Sequence, residues 1–127
     1  MTRAPRALCA LAAGVLALWG CTAPLVTADS PKIVNGYEIR PNEWHEECLR
    51  LKPGDRVDYT FESTEPVEFN IHFHEGAAVV MPVVRENSRG DAGVFAPPLA
   101  HDYCLMWQAG GTGALIDYRV RLKPAAR

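Results

Sequence analysis

The sequence predicts an all-β fold, an antiparallel β-sandwich of seven to eight short strands behind an amino-terminal signal segment. Three observations carry that reading. Apolar and polar residues alternate at period two in several stretches, most cleanly where Val57, Tyr59 and Phe61 interleave with Arg56, Asp58, Thr60 and Glu62. Pro and Gly turn signals such as Lys52-Pro53-Gly54-Asp55 separate these stretches. Almost no helical period is present, and a domain of about 100 residues made of such strands hides one face of each in a two-layer sandwich. At 127 residues, without an internal repeat, the chain accommodates one domain and a modest core.

The first element is not part of that fold. Arg3 and Arg6 precede residues 7–18, which are uncharged and almost wholly aliphatic, the layout of a secretory signal. The following Leu18-Trp19-Gly20-Cys21 resembles the lipobox of bacterial lipoproteins, in which Leu at minus three and a small residue at minus one precede a cysteine that is lipidated. The resemblance makes residues 1–20 the signal peptide and Cys21 the lipidation site, carrying acyl chains such as palmitate. More than one chain gives stable membrane attachment. Two alternatives stand beside it: ordinary cleavage after Val26-Thr27-Ala28, or an uncleaved anchor over residues 7–28, which Thr22 and Pro24 weaken. Residues 21–31 are rich in Thr, Ala, Pro, Ser and Asp and read as a tether. Of 13 basic residues the signal removes Arg3 and Arg6, leaving 11 against 15 acidic ones and a formal charge of −4. No basic patch remains to hold a phosphate backbone, which argues against nucleic acid as a partner.

The sandwich domain is predicted over residues 32–124, with a tail at 125–127. Residues 32–39 form a first strand with Ile33, Tyr37 and Ile39 toward the core and a break or bulge at Asn35-Gly36. Residues 44–51 also suit a short helix, but Leu49 and Leu51 alternate and Pro53 forbids continuation, so a strand is expected. After the strand at 57–62, Glu65-Pro66 turns into residues 69–75, Phe-Asn-Ile-His-Phe-His-Glu. Residues 79–84 form a short apolar strand, 85–93 a polar loop and 94–96 a brief strand. Residues 103–108, a Gly-rich loop at 110–113 and a last strand at 114–122 complete the chain.

Cys9 leaves with the signal and Cys21 takes the lipid. The remaining two cysteines of an exported domain, Cys48 and Cys104, are expected to form a disulfide, with free or metal-bound thiols as the alternative. Each is out of phase with its apolar neighbours, Leu49 and Leu51 or Tyr103, Leu105 and Trp107. That parity puts a bridge on the outer side of one sheet.

The same counting places Val67, Phe69, Ile71 and Phe73 inward and Glu68, Asn70, His72 and His74 outward. His72 and His74 therefore stand about 7 Å apart by strand rise on an exposed face, close enough to share a copper or zinc ion. His101, Met106, Glu75 or Met81 are the candidates to complete such a site, thioethers favouring Cu(I). The alternative is that outward histidines meet only water or a cross-strand carboxylate. A blue-copper centre is excluded because no histidine follows Cys104. Ser30, Ser63 and Ser88 lack a nucleophile-elbow setting, and Glu46 and Glu47 are expected on a solvated face because strand neighbours point apart. No enzyme is predicted. Arg89-Gly90-Asp91 spells an adhesion tripeptide that chance explains.

An acidic residue then cysteine in an early strand (Glu47-Cys48), a Pro53-Gly54 turn, an alternating strand and a late Tyr103-Cys104 strand together resemble the GOLD (Golgi dynamics) domain of early secretory pathway cargo receptors. That family is a disulfide-stapled β-sandwich used to bind proteins. The resemblance covers about residues 32–123, supports Cys48 and Cys104 as the bridge, and implies no ligand site. Those receptors also carry a coiled coil and a carboxy-terminal membrane helix, for which residues 32–127 show no pattern, so cargo transport is not expected to carry over. The expected function is a membrane-tethered, non-enzymatic binding module of the bacterial cell envelope, facing the periplasm or exterior and recognising a protein or envelope component. The alternative is a periplasmic copper- or zinc-binding protein using His72 and His74.

Overall fold

The computed structural model describes residues 26–27 and 30–127; the signal, Cys21 and most of the tether lie outside them. The described residues form six antiparallel strands and no helix: β1 (Lys32–Ile39), β2 (Trp44–Leu51), β3 (Arg56–Glu75), β4 (Ala78–Phe95), β5 (His101–Ala109) and β6 (Ala114–Lys123). The all-β prediction holds, with fewer and longer strands than the sequence suggests.

Two expected breaks are absent. Glu65-Pro66 does not end a strand, because β3 runs 20 residues through it. Pro66 falls in the register gap between Glu62 and Val67 in the pairing with β4, where no ladder bond needs its missing N–H. The polar residues 85–93 are likewise strand, within the 18 residues of β4. These residues are tied to β3 instead of lying loose: the Asn87 backbone N–H donates to Glu68 Oε1 at 3.1 Å, and the Arg89 guanidinium reaches the Thr64 carbonyl and Glu65. Asn87, at φ 50°, sits beside the bulge that lets pairing resume at Gly90 opposite Glu62.

The strand order is β1-β6-β3-β5-β2, with β4 on the other edge of β3. Residues 56–63 of β3 pair with β6, and residues 67–72 pair with β5. The long strand thus belongs to both layers, and the sheet curls over on itself between residues 62 and 67. Phe61 and Phe69, on either side of the bend, come to 4.8 Å, and Trp107 of β5 stacks on Tyr118 of β6 at 4.7 Å. Around them Val57, Val67, Ile71, Tyr103, Leu105, Ile116 and Val120 are fully buried.

In β1 the bulge expected at Asn35-Gly36 is present, between Val34 and Tyr37. The inward residues differ from the prediction, however. Val34 packs on the core while Ile33 is 57% exposed, and the extra residue restores Ile39 to the inside. The disulfide joins Cys48 to Cys104, which are register partners on β2 and β5. Cys48 is exposed and Cys104 half-buried beside the buried Leu49 and Tyr103, so the bridge lies on the outer side of its layer as parity requires.

Candidate functional site

The layer of β2, β5 and the second half of β3, flanked by β4, presents an outer face whose residues are fixed by register. One row runs Glu46, Met106, Asn70, Val84; the next runs Cys48, Cys104, His72; His74 lies opposite Val79 beyond it. Trp44 begins the row on the other side and is 62% exposed. Cross-strand partners share a face, so the period-two alternation of three strands gathers these side chains into one patch.

His72 and His74 are neighbours there, their rings 5.2 Å apart and nearly perpendicular. The expectation that both are exposed fails for His72, which is only 4% exposed. The disulfide beside it in the row, and Asn70, Glu46 and His74 around it, cover the ring. Its Nδ1 lies 2.7 Å from the Asn70 amide oxygen. An amide oxygen only accepts, so Nδ1–H donates and the neutral ring keeps its lone pair on Nε2. Nε2 faces a Glu46 carboxylate oxygen at 3.8 Å, beyond hydrogen-bond length. Burial pushes the His72 pKa below its usual value, Glu46 opposing and His74 reinforcing that shift.

Of the other residues suggested for a metal, Met106 joins the patch, directly opposite both Glu46 and Asn70. His101 does not: its ring packs on Phe73 at 4.9 Å, and its register partner is the buried Leu51, so it belongs to the rim of the inner face. Met81 is exposed in the irregular part of β4, and Glu75 ends β3. A carboxylate oxygen of Glu46 and the sulfurs of Cys48 and Cys104 all lie within 4.8 Å of one another, but the sulfurs are bonded to each other and offer no thiolate. Glu46 is the member of the patch that counting histidines misses. Its position two residues before Cys48, on the same parity, is the signal for it.

A second polar group lies on the inner face, where the edge strands β1 and β2 approach without pairing. Glu47 is 7% exposed, which corrects the expectation of a solvated pair: Glu46 faces out, and Glu47 enters with Leu49 and Leu51. It accepts a hydrogen bond from Tyr118 Oη at 2.6 Å, forms an ion pair with Lys32 and has His45 Nε2 at 3.6 Å. Burial pushes its pKa up, but polar contacts with His45, Lys32 and Tyr118 and the Lys32 charge win and bring it down to about 2. Burial and the Glu47 carboxylate push the Tyr118 phenol well up. His45 completes the seam, 2.8 Å from Tyr118 Oη and 4.0 Å from the Tyr37 ring. Between these groups and the core, the buried indole N–H of Trp107 has no hydrogen-bond partner among the described residues.

No protein-family model and no curated protein sequence matches this chain.

Proposed function

We propose that this chain is a lipid-tethered, non-enzymatic binding module of the bacterial cell envelope that recognises a protein or envelope component through the outer face of its disulfide-bearing layer. The observation that carries the reading is β4. It pairs with β3 alone, so its other edge offers free backbone donors and acceptors among the described residues; Val79 and Val84 stand exposed on its outer face, with Val80, on the other parity, and Met81 exposed along the same strand. Exposed apolar residues gathered on one edge mark an interaction surface, and an open strand edge can take a partner strand. Trp44 extends the same face at the β2 edge. A lipid on Cys21 followed by a short tether would hold this face near the membrane, and the GOLD-like pattern of Cys48 and Cys104 fits a sandwich used for binding proteins.

Site-specific photo-crosslinking in intact cells tests the reading. A probe at Val79 or Val84 is expected to give a defined adduct that a probe at Arg119, on the outer face of the other layer, does not. Adducts of equal yield at all three positions, or at none, would overturn it.

A further inference from the structure

We propose that His72, Glu46 and His74 hold one divalent transition-metal ion of the Zn(II) class on the outer face of the disulfide-bearing layer, through His72 Nε2, a Glu46 carboxylate oxygen and the His74 imidazole. The starting point is a mismatch. His72 Nε2 carries a lone pair because Nδ1 donates to Asn70, and a carboxylate oxygen only 3.8 Å away also carries lone pairs. At that separation no hydrogen bond joins the two groups whatever the charge of the ring, whereas an ion between them would bond both. Zinc bonds of about 2.0–2.2 Å at a tetrahedral centre put neighbouring donors about 3.3 Å apart. Turning the partly exposed Glu46 carboxylate closes that difference.

The surroundings match what a metal-bound histidine needs. Such a ring donates its other N–H to an oxygen that fixes tautomer and orientation, and Asn70 does this at 2.7 Å. A second imidazole lies on the same strand face, its ring 5.2 Å from that of His72; its donor atoms do not yet lie within 4.8 Å of both other donors, and the exposed His74 side chain reaches the ion by rotating. Two imidazole nitrogens and one carboxylate oxygen form a borderline donor set suited to Zn(II), with a fourth position open to water. The Met106 thioether lies opposite Glu46 and would favour Cu(I) if it took that position. His101, on the other face, plays no part.

Titration of Zn(II) alone into the purified full chain in detergent micelles decides the matter, with Co(II) as a spectroscopic probe of coordination. The expected result is one Zn(II) per chain, with Glu46→Gln and His74→Ala each weakening binding about tenfold or more. Both side chains lie outside the core, so unchanged circular dichroism shows that loss of binding is not loss of fold. His101→Ala should bind as the parent does, and Co(II) should give the strong visible absorption of a tetrahedral site. No Zn(II) bound, affinity unchanged by Glu46→Gln and His74→Ala, or affinity lowered by His101→Ala would each overturn the proposal. Tighter Cu(I) than Zn(II) binding, abolished by Met106→Ala, would overturn the choice of metal.

Discussion

Glu47 is an acid among apolar neighbours, and three side chains from distant parts of the chain make that position tolerable. Lys32 supplies charge, Tyr118 donates the short hydrogen bond that replaces water, and His45 Nε2 lies 2.8 Å from the Tyr118 oxygen behind it. Hydrogen bonds to a charged group contribute about 1.5–3 kcal/mol each, so Tyr118→Phe is expected to lower unfolding stability by about that amount in urea titrations. A change below about 0.5 kcal/mol would mean that the phenol is a spectator. Side-chain direction was legible residue by residue wherever alternation was clean: Val57, Tyr59 and Phe61 point in, and Cys48, Cys104, His72 and His74 point out of the core. What counting cannot supply is accessibility. His72 faces outward yet is covered, and Glu47 faces inward yet is charged, because in each case the deciding neighbours come from other strands.

Strand identity was readable from period two, but strand ends were not. Pro66 and the polar run at 85–93 look like interruptions, and they are absorbed because β3 and β4 shift register at three points instead of parting. Composition reports local preference, whereas continuity here comes from side chains crossing between the two strands. Their close approach is visible at Gly93, where an added Cβ would lie 2.6 Å from the Tyr59 hydroxyl. Gly93→Ala is therefore expected to destabilise the protein by about 1–3 kcal/mol, read as a lower thermal midpoint, while Gly110→Ala, with open space around it, should not. The other tie between elements is covalent. The disulfide closes a separation of 56 residues, for which chain entropy gives about 4 kcal/mol, so the double variant Cys48→Ala and Cys104→Ala should lose stability of that order. Equal urea midpoints for parent and variant would show that the β2–β5 pairing alone suffices.

At the scale of the molecule, one sheet serves as both layers, and two of its edge strands, β1 and β2, meet across side chains instead of a hydrogen-bonded ladder, while β4 is left as an open edge. Lys32 of β1 and Glu47 of β2 form that seam together with Tyr37 and His45, so the closure of the curl depends on the charge of Glu47. The sandwich class was legible because it needs only alternation and turns; the curl was not, because it depends on which half of β3 each later strand chooses. The seam makes closure sensitive to acid. The folded-state pKa of Glu47 lies at about 2 against an ordinary 4.5, so between those values the unfolded chain binds the extra proton and stability falls as pH falls. The contribution is complete above about pH 5 and disappears toward pH 2, and 2.5 pH units at 1.36 kcal/mol each make it roughly 3 kcal/mol. Urea midpoints measured from pH 7 to pH 2 should drop for the parent through that window, whereas Glu47→Gln should start lower at pH 7 and fall less steeply. Parallel pH profiles for the two proteins would show that the seam is held by something other than this carboxylate.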